Sequence, residues 1–139
     1  ARIEPDLTVR VDADALRNAV VNLLEYAVKY TPETQQDRDV ELRVARHPDR
    51  RNVQIEVLDH GIGIPEAERD AVFRGFHRAS NAGEVRGAGI GLYLVRDFVV
   101  SHGGSVEIEG REGGGTVLRL ILPLVPDPAA RPDETSNEP

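Results

Sequence analysis

The residues of this 139-residue chain that could do chemistry gather in three glycine clusters and one polar helical stripe. Asp59-His60-Gly61-Ile62-Gly63, Gly87-Ala88-Gly89-Ile90-Gly91 and Gly113-Gly114-Gly115-Thr116 follow one another in that order. Glycine lets a backbone take positive φ and approach a ligand closely, and amides at a helix start favour phosphate. The middle cluster directly precedes a helical segment, so its amides could cradle an anion, although such a cluster is equally at home in a plain turn. No lysine follows the glycines as a P-loop requires, and no strand leads straight into the middle cluster as a dinucleotide fold requires. A nucleotide site here needs another architecture. Asn22, Tyr26 and Lys29 fall at i, i+4 and i+7, a polar stripe beside the apolar face centred on Leu16, Val20, Leu23 and Ala27, so they could look into one pocket.

The elements that must position these groups follow from periodicity. Residues 7–11 are a short β-prone run, and Asp12 or Asp14 can cap a helix over 15–30 that Pro32 ends. Alternation predicts strands over 40–45 and 53–58, joined by a polar turn. A short helix over 66–72 begins behind Pro65, and residues 74–87 have no periodicity and read as a mobile loop. A second long helix runs from Gly89 to Ser101, apolar on most sides and expected to be well buried, and stops at His102-Gly103-Gly104. Strands over 106–109 and 116–122 form a last hairpin. The order predicts an α+β two-layer sandwich: a mixed, mostly antiparallel sheet of about five strands covered on one face by three helices. Residues 1–125 are expected to form the domain, and residues 126–139 an acidic, proline-rich disordered tail.

Composition narrows the function. Hydrophobic residues make up 40% and charged residues 29%, a globular balance, and no apolar run reaches the roughly 18 residues a membrane span needs. Zero cysteines exclude disulfides and thiolate metal sites, and the four histidines show no paired metal-ligand spacing. A net charge of -7 argues against nucleic acid and anionic lipid, and the lack of tryptophan leaves few stacking platforms for bases.

The motifs together resemble the catalytic ATP-binding domain of bacterial sensor histidine kinases, within the GHKL ATPase superfamily that shares the Bergerat fold. Asn22-Leu23-Leu24-Glu25-Tyr26-Ala27-Val28-Lys29-Tyr30-Thr31-Pro32 is similar to the family's N box, and Asp59-His60-Gly61-Ile62-Gly63-Ile64-Pro65 to its first glycine box. Phe73-Arg74-Gly75-Phe76-His77-Arg78 resembles the phenylalanine box, and Gly87-Ala88-Gly89-Ile90-Gly91-Leu92 and Gly113-Gly114-Gly115-Thr116 resemble the later glycine boxes. Five motifs in family order across residues 7–124 are far more specific than any one of them.

The resemblance implies a role for each position. Asp59 would accept a hydrogen bond from the adenine amino group, where guanine presents a carbonyl; otherwise it is an ordinary turn aspartate. Gly61 and Gly63 would admit base and sugar, with Tyr30 and Thr116 nearby. Lys29 and Arg78 would meet phosphate oxygens, and amides from Gly87, Gly89, Gly91 and Leu92 would hold the triphosphate under a lid of residues 77–88. ATP and magnesium are the implied cofactors. Asn22 would be one metal ligand, while the family's second asparagine is replaced by Tyr26, a neutral phenol that substitutes poorly for an amide carbonyl. Tyr26 leaves three readings open: a degenerate kinase, a working site with magnesium held by Asn22, water and phosphates, or an engineered change.

The implied reaction is transfer of the ATP γ-phosphoryl group to a histidine on a separate dimerisation hairpin, followed by passage to a response regulator. That acceptor histidine is expected outside this chain, which reads as an excised or standalone catalytic domain of a cytoplasmic region. The alternatives are a non-catalytic GHKL interaction module and an anti-sigma-factor serine kinase.

Overall fold

A computed structural model of the chain describes residues 1–74 and 90–126. Five strands form one sheet in the order β1-β2-β3-β5-β4: β1 (Arg2–Ile3), β2 (Glu41–Arg46), β3 (Asn52–Asp59), β4 (Ser105–Gly110) and β5 (Thr116–Pro123). Only the β1–β2 pairing is parallel. Two long helices, α1 (Ala13–Lys29) and α2 (Ile90–Ser101), pack on each other and on one sheet face, with two 3-10 turns, Glu66–Glu68 and Ala71–Phe73, between β3 and α2. This is the expected two-layer α+β sandwich, its third helical segment being the pair of 3-10 turns rather than one continuous helix.

Asp12 starts α1, its Oδ1 accepting from the amides of Asp14 (2.9 Å) and Ala15 (3.1 Å). The helix ends with the Tyr30 amide donating to the Tyr26 carbonyl at 3.0 Å and the Thr31 hydroxyl donating to the Ala27 carbonyl at 2.6 Å. Period-2 alternation sends Val53, Ile55, Val57, Leu118, Leu120 and Leu122 to the helix side of the sheet. There they meet Ala19, Leu23 and Ala27 of α1 and Leu92, Val95, Phe98 and Val99 of α2. Each fully buried aliphatic side chain contributes about 1.5–3 kcal/mol relative to exposure.

The opposite face mixes buried Leu58, Val117 and Ile121 with a row of charges fixed by the pairing register. Arg43 stands opposite Glu56, Glu56 opposite Arg119, and Arg119 opposite Glu107, so the sign alternates across four strands. Arg119 donates to Glu56 at 2.7 and 2.9 Å, to Glu107 at 2.8 Å and to Glu109 at 2.8 Å.

Two expectations fail in detail. Residues 7–11 form no ladder strand. Val9 makes one isolated bridge to Leu124, and the edge strand is Arg2–Ile3 instead. Asp6, at φ +63°, separates the two segments. Leu7, Val9 and Val11 still turn to the core, so the alternation reported burial and not a full set of ladder bonds. Helix α2 is not buried all round, since Tyr93 is 44%, Leu94 49% and Val100 54% exposed. A helix laid on one sheet and one neighbouring helix covers only part of its circumference. The 74–87 loop beyond residue 74 and the 126–139 tail beyond residue 126 lie outside the described residues.

Candidate nucleotide site

Asp59 ends β3, where alternation turns its side chain to the helix side of the sheet, and the glycine turn that follows donates back to it. Its residue is 2% exposed. Oδ1 accepts from the Gly61 amide at 2.8 Å and the Thr116 amide at 3.2 Å. Oδ2 is buried and has no hydrogen-bond partner. Burial pushes this carboxyl above the usual carboxylate range, opposed by the two amides and by Arg111 and His60. A buried acceptor left unmet costs about 1–3 kcal/mol, more when charged, so this oxygen is suited to an incoming donor.

The turn holds its shape through close backbone contacts that only glycine permits. A Cβ at Gly61 would collide with the Tyr30 carbonyl oxygen, and one at Gly115, where φ is +110°, with the Asp59 carbonyl oxygen. The Ile62 amide donates to the Tyr30 carbonyl at 3.0 Å, tying the turn to the end of α1. Gly63 faces the Gly115 carbonyl, 3.6 Å from where its Cβ would stand. The Arg111 Nη1 donates to the Asp59 carbonyl at 3.1 Å and lies 3.3 Å from His60 Nε2. That same Nε2 is 3.1 Å from Asp37 Oδ2.

Tyr26 and Tyr30 stack with ring centroids 4.4 Å apart and planes 22° apart. Burial, then Tyr30, then the Asp59 carboxylate push the Tyr26 phenol further above its ordinary value, so it stays neutral. Asn22, half-buried one turn earlier, faces the first turn of α2: a Cβ at Gly91 would stand 3.8 Å from its amide carbon.

The structure therefore brings Tyr26, Tyr30, Asp59, Gly61, Gly63 and Thr116 together and sets Asn22 beside Gly91. Lys29 is exposed and lines an outer groove with Val21, Leu24, Glu25 and Val28. The Leu92 side chain is part of the core. Arg78, Gly87 and Gly89 lie outside the described residues. Sequence reasoning passed over Arg111 and Asp37, whose places beside Asp59 and His60 come from loops with no periodic signal. Among the described residues, no helix is long and apolar enough to cross a membrane, and no cluster of three His, Asp or Glu side chains could hold a metal.

Residues 11–126 match the family described as histidine kinase-, DNA gyrase B- and HSP90-like ATPases. The chain belongs to this ATPase family. Over 89% of its length this ATPase domain is 39% identical to an adaptive-response sensory kinase, SasA, of a Synechococcus strain, of which it covers 32%. Among solved structures it is similar to a mycobacterial sensor histidine kinase, MprB, with a TM-score of 0.79 and 30% identity over 91% of this chain and 82% of that one. It is also similar to full-length ShkA in complex with AMPPNP, with a TM-score of 0.70 and 27% identity over 88% of this chain and 25% of that one. The ATPase domain spans about a third or less of the curated relatives named as sensor kinases.

Proposed function

We propose that this ATPase domain is the ATP-binding catalytic domain of a sensor histidine kinase, acting in the cytoplasm within a larger protein and handing the γ-phosphoryl group to a histidine on a separate dimerisation hairpin, from which it passes to a response regulator. The observation that carries the nucleotide part is the buried, unpartnered Oδ2 of Asp59. Its acceptor matches the adenine amino group and mismatches the guanine carbonyl. The relatives carry sensory-kinase and histidine-kinase names, which favours this reading over a non-catalytic interaction module or an anti-sigma serine kinase.

Each residue then has a physical task. Asp59 reads the base; Gly61 and Gly63 keep its edge free of side chains; Tyr30, with Tyr26 stacked on it, offers the aromatic wall; and Thr116 fixes the Asp59 carboxylate from behind. Lys29, Arg78 and the amides of Gly87, Gly89, Gly91 and Leu92 meet the phosphates. Phosphoryl transfer then depends chiefly on positioning and charge neutralisation. Magnesium supplies part of that neutralisation when bound. Asn22 fits it, because its amide makes no hydrogen bond among the described residues and its Oδ1 lies 3.9 Å from where a Cβ at Gly91 would stand. Tyr26 does not fit it, being a neutral phenol held in a stack. Phosphate oxygens and water would complete the set.

Calorimetric titration with a non-hydrolysable ATP analogue and its GTP counterpart, each with and without magnesium, tests the reading. Adenine-selective binding that magnesium strengthens is expected. Equal affinity for both bases, or no binding at all, would overturn it. Incubation of the ATPase domain with labelled ATP and a histidine-bearing helical hairpin should then give acid-labile phosphohistidine.

A further inference from the structure

Asp59, Thr116 and Gly110 share one row at the end of β3, β5 and β4. Arg111 is the next residue beyond that row, so its side chain leaves the sheet end beside the Asp59 backbone. One guanidinium nitrogen, Nη1, donates to the Asp59 carbonyl at 3.1 Å, 52 residues away in sequence, and reaches His60 Nε2 at 3.3 Å. His60 in turn meets Asp37, from the segment between α1 and β2, at 3.1 Å. The Arg111 backbone closes its own loop as well, its amide donating to the Gly115 carbonyl at 3.2 Å and its carbonyl accepting from Gly114 at 3.1 Å. Arg111 is therefore held by its backbone and through Nη1.

Building on the nucleotide reading above, we infer that Arg111 is a positioning residue for adenine recognition: it clamps the Asp59 carbonyl and places a fixed positive charge behind the carboxylate that reads the base. It touches no nucleotide atom in this role. The Asp59 main chain has Gly115 packed against its carbonyl and Gly61 and Thr116 on Oδ1, so Arg111 supplies the one side-chain bond to the Asp59 carbonyl among the described residues. An ionised Asp59 accepts from an amino group, whereas a protonated one does so less well, and Arg111 favours the ionised form. The other charged or titratable groups around Asp59 are His60 on its own turn, Asp37 behind His60, and Tyr26 from α1. His60 competes for two partners with one nitrogen. Nε2 accepts from Arg111 in one tautomer and donates to Asp37 in the other, so Arg111 and Asp37 together set the imidazole.

The test is titration of the whole chain with a non-hydrolysable ATP analogue between about pH 5 and 8, comparing the unmodified protein with Arg111→Ala, Arg111→Lys and Arg111→Gln, and with His60→Gln to remove the imidazole titration. Thermal melting of each variant accompanies the titrations. In Arg111→Ala, affinity at neutral pH is expected to fall about tenfold, the size of one lost hydrogen bond from a charged donor. Its acid limb, where affinity is lost as Asp59 protonates, is expected to move to higher pH. Arg111→Lys restores the limb because it restores the charge, and Arg111→Gln keeps a donor without restoring it. Unchanged affinity and limb in Arg111→Ala, or equal losses in Ala and Lys with an unmoved limb, would overturn the inference while leaving ATP binding intact. If Arg111→Ala does not fold, the Lys and Gln pair decides: limbs that coincide refute the role of the charge. Absence of binding by the unmodified chain would instead remove the nucleotide reading on which the inference rests.

Discussion

Asp59→Asn isolates the oxygen on which the proposed base recognition rests. The substituted amide keeps an Oδ1 for Gly61 at 2.8 Å and Thr116 at 3.2 Å, but it replaces the unpartnered Oδ2 with an NH2 group. Facing an adenine amino group, that sets donor against donor. Losing a hydrogen bond to a charged acceptor costs about 1.5–3 kcal/mol and leaving a buried amide unpaired about 1–3 kcal/mol. The two overlap, so about 3–4 kcal/mol, roughly 10²–10³-fold in affinity, is expected for an ATP analogue. A GTP analogue should lose less, because its carbonyl can accept from the new donor.

Stability should move the other way. A carboxylate whose folded pKa is raised contributes stability below its ordinary pKa and loses it as pH rises through the folded value. At neutral pH the ionised, unmet oxygen is therefore a cost, and a neutral amide lowers it by about 1 kcal/mol. That is about 3–5 °C in melting temperature for a domain of this size. In acid, where Asp59 is protonated, the gain should vanish. Titration calorimetry and melts at neutral and acid pH read both effects. An Asp59→Asn variant that binds ATP as before, or melts lower than the parent at neutral pH, would refute the reasoning and leave Asp59 a structural turn residue.

Gly61→Ala should weaken nucleotide binding and cost about 2–4 kcal/mol, because the added methyl meets the Tyr30 carbonyl group and stands 3.1 Å from Asp59 Oδ1; a variant with parental melting and affinity would count against the turn described. Arg119→Met should cost about 2–3 kcal/mol by removing the guanidinium that donates twice to Glu56, 9% exposed, and Glu56→Gln in the same chain should recover part of it; urea denaturation reads both. The Asp49 carboxyl, pushed down to about 2 by the Asn52 side chain first and the Arg51 amide next, should stabilise the β2–β3 turn at neutral pH and lose that contribution as pH falls from near 4 through about 2. Carbon NMR titration of Asp49 checks it, and a midpoint near 4 would contradict the hydrogen bonds described.

What could be read from the chain alone was whatever repeats. The alternation of Val53, Ile55 and Val57 and of Leu118, Leu120 and Leu122, and the three- and four-residue spacing of Ala19, Leu23 and Ala27, predicted the sheet and α1 because burial imposes those periods. The two-residue β1 is too short to have a period, and the alternating Leu7, Val9 and Val11 pack on the core without forming a ladder. At the site, Asn22, Asp59 and the glycines stood out because residue type and order carried them. The unmet Oδ2 did not, since it depends on Gly61 and Thr116, 57 residues from Asp59, both taking the same carboxylate oxygen. Arg111 was invisible for the same reason: its bond to the Asp59 carbonyl spans 52 residues and leaves no local pattern.

The alternating row Arg43, Glu56, Arg119 and Glu107 also acts as a lock on strand alignment. Sliding β5 by one residue would drive Arg119 into the aliphatic layer beneath the helices, and sliding it by two would place it opposite Gln54 or Leu58 instead of Glu56. Either error discards several ion pairs at once, while the aliphatic residues alone, all similar in size, would distinguish the two-residue slip poorly. Because Asp59 and Thr116 sit at the far end of the same two strands, the charges on the face away from the helices help decide whether the Asp59 carboxylate and the amide that steadies it meet at all.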